Sequence, residues 1–244
     1  MTREQVYGRR PVREALRGPR QVLELWTSER ALAAEPWLRG AGVRVQVKPE
    51  RELGQAAGTR DHQGVVAWCD PYRYADAHEL AGAERPLLVC LDQVTDPHNL
   101  GAVCRSAEGA GATGVVVPAH GAVRVTPAVC RASAGAVEHL PVAVVPNLAR
   151  FLADVKGDDV WVHGAATGEG STPMWDADLA AGAAIVLGAE GRGLRPLVRK
   201  MCDTLVAIPL AGRVESLNVS VAAAVLLYEA LRQRRSADTL AGRA

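Results

Sequence analysis

From Pro86 onward six short apolar runs, at 87–91, 115–117, 142–145, 160–162, 184–187 and 205–208, alternate with segments of helical pattern. Uninterrupted runs of this kind, rich in Val, Leu and Ile, are what strands look like when both faces of their sheet are covered, and the intervening helices supply that cover. The expected fold is therefore α/β, with a largely parallel sheet. In open sheets of this type ligands bind beyond the carboxyl ends of the strands, where a strand gives way to a helix. Polar residues at those junctions are accordingly the first candidates for chemistry.

Ahead of this region lie three β-prone runs, 22–27, 43–47 and 64–68, separated by helix-like stretches at 29–39 and 50–57. They predict a small α/β unit. Residues 70–85 have no clean period, open with Asp-Pro and are polar, which suits a boundary. The expected division is a unit at 1–75, a linker at 76–85 and a larger domain at 86–244. The last helix, about 218–235, is apolar on nearly every side through Leu227, so it needs more cover than the sheet offers, and a homodimer contact is the economical source. Arg232, Arg234 and Arg235 stand near its expected C-terminus, where cations complement the helix dipole.

The chain has 244 residues, 48% of them hydrophobic but only ten aromatic, so Val, Leu and Ala must fill the core. Its five cysteines are scattered and never spaced as CxxC, which argues against a zinc site and a disulfide framework and fits a reducing cytoplasm. No apolar run approaches the roughly 18 residues of a membrane span, and the first residues carry no apolar leader core. A cytoplasmic protein without membrane attachment is expected. The six histidines show no ligand spacing and no phosphate-loop motif occurs, so metal catalysis and nucleotide hydrolysis lose support. Gly109, Gly111 and Gly114 spell GxGxxG, but the pattern follows a helix and precedes a strand, the reverse of a dinucleotide site. It reads as a helix end and turn. Net charge is +1, yet six arginines (Arg3, Arg9, Arg10, Arg13, Arg17, Arg20) fall within the first 20 residues. Such a patch suits phosphate contact or, equally, a solvated helix face.

Three junction segments carry the polar residues: 92–111 (DQVTDPHNLGAVCRSAEGAG), 187–199 (LGAEGRGLRPLVR) and 208–226 (IPLAGRVESLNVSVAAAVL). Each has a local structural explanation. Asn99 could cap a helix and Arg105 pair with Glu108 on it; Glu190 could favour a helix N-terminus; Ser216 or Asn218 could cap the last helix. Only one of the last two can fill that position, which leaves the other for a different purpose.

Together and in this order the three segments resemble the signature motifs of the SpoU/TrmH family of RNA 2′-O-ribose methyltransferases. The resemblance covers about residues 87–235. It implies the SPOUT fold, whose C-terminal segment forms a deep trefoil knot with S-adenosylmethionine bent inside the knotted loops; no metal is expected, because the sequence holds no metal-ligand cluster. Gly188, Ile208 and Leu217 match positions that contact the donor, and the loop at 165–171 is expected to contribute. Asn99, Arg105, Glu190, Ser216 and Asn218 match the catalytic set. In the family the arginine, here Arg105, is assigned as general base; since arginine stays protonated in proteins, phosphate binding or stabilisation of a developing alkoxide is the alternative. The N-terminal stretch VYGRRPVREAL and the α/β pattern after it resemble the ribosomal-protein-like substrate-binding domain of the branch that methylates a guanosine of 23S rRNA. That implies RNA as partner. Alternatives are a tRNA enzyme, an antibiotic-resistance rRNA methyltransferase, or a non-catalytic RNA-binding dimer.

Overall fold

The computed structural model describes residues 3–157, 159–168 and 170–241. Two compact units emerge, one formed by residues 3–73 with 124–139, the other by 74–123 with 140–241.

The first unit is built on a four-stranded sheet. Strands β1 (Glu4–Tyr7), β2 (Val22–Thr27), β3 (Val45–Val47) and β4 (Val65–Cys69) lie in the order β1-β4-β2-β3, with only β2 and β3 parallel. Helices α1 (Arg9–Ala15), α2 (Glu29–Ala34) and α3 (Glu50–Ala57) connect them. The hydroxyl of Ser28 accepts from the Ala31 amide and starts α2, while Gly58 ends α3 in the left-handed conformation that glycine adopts at little cost. The helix expected over 29–39 is shorter: Pro36 breaks it, and a 3-10 turn follows at Pro36–Leu38. Strand β1 was not anticipated. It hides in a charged stretch, and only Val6 and Tyr7 are buried, by pairing with β4.

The second unit is introduced by α4 (Ala77–Ala81), capped by Asp76, so residues 76–85 include an element packed on the larger sheet rather than a plain linker. There follow β5 (Leu87–Asp92), α5 (Pro97–Gly109), β6 (Gly114–Pro118), then α6 (Pro127–Ala132), which belongs to the first unit, and β7 (Val142–Val145). The remaining elements are α7 (Leu148–Val155), β8 (Trp161–Ala165), the two-residue β9 (Thr172–Pro173), β10 (Ala183–Gly188), α8 (Pro196–Met201), β11 (Thr204–Ala207) and α9 (Val219–Ala241). The sheet order is β7-β6-β5-β10-β8-β11-β9, and every pairing in it is parallel. Each of the six apolar runs falls within or across one of its strands. On one face Leu88, Cys90, Val116, Val162, Ala184 and Val186 pack against Leu148, Phe151 and Leu152 of α7 and Val198 of α8. Helices α5 and α9 pack together, and α9 also contacts β10. Gly111, at φ +73°, makes the turn between α5 and β6, as the reversed glycine pattern suggests.

Two expectations about charge are corrected. Helix α9 runs to Ala241, so its three arginines are not at a terminus. Arg232 pairs with Glu229, and Arg234 donates to the carbonyls of Arg85, Pro86 and Ala181 at 2.8, 2.9 and 2.6 Å. Arg234 thereby ties the loop before β5 to the loop before β10 through their carbonyls. At the other end of the chain, four of the six early arginines are engaged internally. Arg3 pairs with Glu24, Arg9 with Glu35 and Arg17 with Glu14, while Arg20 is buried between Glu138 and Glu4 and lies over the Tyr72 ring. Because Glu138 and Cys130 both meet Arg20, this buried guanidinium ties residues 124–139 to the sheet of the first unit. Arg10 and Arg13 are exposed and have no ion pair among the described residues.

Candidate active site

The carboxyl ends of β5, β10 and β11 lead into the three junction segments. After β5, Asp96 caps α5 by accepting from the His98 amide, with Pro97 in the first turn, and this sets Asn99 at the start of the helix. After β10, residues 189–193 double back: the Gly193 amide donates to the Ala189 carbonyl at 2.9 Å. The fold-back lies directly on Gly188, where a Cβ would sit 2.1 Å from the Gly193 carbonyl carbon. Only glycine fits. Gly191 and Gly193 both have positive φ, which lets the loop close in so few residues.

Asn99, Glu190 and Asn218 meet. The Asn218 amide donates to Asn99 Oδ1 at 3.0 Å and to Glu190 Oε1 at 2.5 Å. Glu190 Oε1 also accepts from the Asn99 amide and from the Val219 backbone N–H, each at 3.4 Å. One carboxylate oxygen thus gathers side chains from two other segments and faces the N-terminus of α9, where negative charge is favoured. Asn218 is at the same time the cap of α9, since its Oδ1 accepts from the Ser220 amide at 2.9 Å. Ser216 is left free of that task.

Beside this cluster lies a cavity of about 480 Å³. Its walls include Gly188, Ile208 and Leu217, the three expected donor contacts, together with Glu190 and Ser216. Ala165 at the end of β8 and Ala166 and Thr167 of the loop after it contribute, while residue 169 of that loop is outside the described residues. Arg105 joins neither group. It is exposed on α5, with no hydrogen bond or ion pair among the described residues, and the Arg105–Glu108 pair allowed by spacing does not form. An arginine in water with no partner can meet a ligand without first breaking an ion pair.

Two residues escaped sequence reasoning. Asp92, the last residue of β5, is 0% exposed, and both its oxygens are held by Arg195: Oδ2 accepts the backbone N–H at 2.8 Å and Oδ1 the side-chain Nε at 2.7 Å. An acid ending an otherwise apolar strand was the available signal, because a buried carboxylate requires a specific partner.

A parallel sheet with a ligand-sized cavity beyond its strand ends, walled by a glycine loop and flanked by a polar cluster drawn from three segments, marks an α/β protein that binds a small molecule at the carboxyl edge of its sheet. The chain belongs to the SpoU rRNA Methylase family, which matches residues 86–228, and residues 5–75 match the RNA 2′-O ribose methyltransferase substrate binding domain. It is an RNA ribose 2′-O-methyltransferase with S-adenosylmethionine as methyl donor. Among its relatives is the 23S rRNA (guanosine-2'-O-)-methyltransferase RlmB of Shewanella oneidensis, 42% identical over 89% of this chain and 92% of that protein. Among solved structures, the SpoU methyltransferase AviRb from Streptomyces viridochromogenes, in complex with the cofactor AdoMet, is 30% identical with a TM-score of 0.81, covering 96% of this chain and 91% of that one. A structure described as giving insights into the 2-OH methylation of C/U34 on tRNA is 28% identical with a TM-score of 0.55; it covers 62% of this chain and 98% of its own.

The cavity suits this donor. Ile208, Leu210, Val206 and Leu217 offer apolar walls for a flat base, and the lining carries Glu190, Glu215, Arg192 and Arg199, both charge signs needed by a sulfonium and an amino-acid tail. Its volume lies within the roughly 300–1,000 Å³ of small-molecule sites. Among the described residues no helix is long and apolar enough to cross a membrane, and no group of three His, Cys, Asp or Glu could hold a metal.

Proposed function

We propose that this enzyme methylates the 2′-hydroxyl of a guanosine in 23S rRNA, in the cytoplasm and as a homodimer. The observation that carries the rRNA assignment is the substrate-binding unit at residues 5–75, which the relatives named for 23S rRNA share across their length. By contrast, the tRNA-modifying structure corresponds to 62% of this chain while being itself covered almost fully. The first unit is therefore the RNA-binding part, and the second the catalytic part.

S-adenosylmethionine supplies an electrophilic methyl group. Gly188, Ile208 and Leu217 hold it in the cavity, and the trefoil knot belongs to this reading, supported by β10 lying between β5 and β8. The remaining chemistry falls to the chain's own groups. A ribose hydroxyl is a weak nucleophile and must be placed in line and relieved of its proton. Asn99 and Asn218, braced on Glu190, position the ribose; Ser216 offers a hydroxyl at the cavity wall. Arg105, protonated, stabilises the developing alkoxide, whose proton passes to solvent water. The dimer is supported by Leu217, Val221 and Tyr228, large apolar side chains exposed along the last loop and α9.

Mapping 2′-O-methyl groups across rRNA and tRNA from cells with and without the protein tests the reading. A methyl that vanishes from one guanosine of 23S rRNA is expected. Loss confined to tRNA would overturn the rRNA assignment.

A further inference from the structure

Asp92 does more than close the end of a strand. Its backbone pairs with β10, in register with Gly188, and its carboxylate takes both the backbone N–H and the Nε of Arg195. The two ends of the loop carrying Glu190 are thus tied to one buried residue. The backbone bond alone would suffice for that. The Nε bond has a different effect, because it fixes the direction of the guanidinium. Neither terminal nitrogen of Arg195 has a hydrogen bond among the described residues, and the side chain is 42% exposed against 0% for Asp92. Arg195 is also absent from the lining of the donor cavity.

A guanidinium clamped through Nε presents the flat edge formed by its two terminal nitrogens, the fork that matches two oxygens of a phosphate. Anchoring removes most of the side-chain entropy that an exposed arginine loses on binding. Asp92 ends β5 seven residues before Asn99, and Arg195 follows Glu190 by five, so the pair sits at the meeting point of two segments that build the polar cluster. We infer that Arg195 is a pre-oriented phosphate-binding residue for the RNA chain at or next to the target nucleotide, with Asp92 as its positioning residue. This rests on the reading of the Asn99–Glu190–Asn218 cluster as the acceptor site.

The test uses the full-length protein with a transcribed 23S rRNA fragment, and measures RNA affinity against salt and donor affinity by calorimetry. Arg195→Ala keeps the backbone bond to Asp92, so donor affinity is expected to stay at the wild-type value. RNA affinity is expected to fall about 10- to 100-fold, as for losing a hydrogen-bonded charge, and the slope of log K against log salt to flatten by about 0.7 to 0.9. Arg195→Lys retains a charge for Asp92 but no fork, and should bind RNA as weakly as Arg195→Ala. Unchanged RNA affinity and slope in both variants would overturn the inference, as would a loss of donor binding with RNA binding intact, which would make Arg195 a loop anchor. Wild-type protein that fails to methylate the fragment would instead count against the functional reading, whatever Arg195 does.

Discussion

Asn218 donates its side-chain amide to the side-chain oxygen of Asn99 at 3.0 Å, across 119 positions of sequence. The same amide reaches Glu190, so a single group links all three junction segments while its oxygen caps α9. Replacing Asn218 by Ala removes both. Loss of the cap should cost about 1 kcal/mol of stability, and methyl transfer should fall by about 10² or more. Asn218→Ser, which can still cap, should recover stability but not rate. Thermal melts and single-turnover assays separate the two; recovery of both by serine would reduce Asn218 to a cap.

Gly188 has no room for a side chain. A Cβ there would stand 2.1 Å from the carbonyl carbon and 2.2 Å from the carbonyl oxygen of Gly193, so Gly188→Ala must push the 189–193 fold-back away from the sheet. Donor affinity is expected to weaken at least about tenfold, or 1.4 kcal/mol. Calorimetric titration with S-adenosylmethionine reads this directly, and wild-type affinity would mean that the loop does not shape the cavity.

Arg105 makes no contact whose loss should matter to folding. Arg105→Ala is therefore expected to unfold within about 0.5 kcal/mol of wild type, as exposed substitutions do. Methyl transfer should nevertheless drop by about 10² to 10³, as for losing a group that stabilises transition-state charge. Denaturant titration combined with single-turnover rates tests the pair of outcomes, and an undiminished rate would place Arg105 outside the chemistry.

His163 on β8 is 4% exposed; its Nδ1 meets Thr204 Oγ1 at 2.8 Å, and its Nε2 has no partner among the described residues. Burial lowers its pKa from the usual histidine value, against the opposing pull of Asp203 and Asp178. Below about pH 6.5 the unfolded chain then binds a proton that the folded chain resists, so stability must fall as pH drops through that value. His163→Leu has no such proton to bind. Its stability should change less than that of wild type between about pH 8 and about pH 5, as measured by urea unfolding; parallel curves would exclude His163 as the source.

The six apolar runs predicted a covered parallel sheet, and the three motifs held Asn99, Glu190 and Asn218, which meet at its edge, and Arg105, which stands apart from them on α5. Both are local properties: hydrophobic run length reports burial on two faces, and glycine, proline and capping residues mark where strands turn into helices. Helix α4 inside residues 76–85 was not anticipated, because a five-residue helix leaves little periodic signal. Strand β1 was missed because its pairing with β4, across 60 residues, outweighs its charged composition. The early arginines looked like one basic patch, yet their ion-pair partners, Glu24, Glu35, Glu14 and Glu138, are scattered through the chain.

What the sequence determined by itself was the class of sheet, the list of polar candidates and the family they match. Only the tertiary structure decided that Glu190 braces two asparagines, that Gly188 lies under Gly193, that residues 124–139 join the first unit through Arg20, and that Asp92 clamps Arg195. The physical reason is the same in each case. A buried charge or a backbone-to-backbone approach is tolerated only if a specific group arrives from a distant part of the chain, and distance along the chain leaves no periodic trace of that arrival.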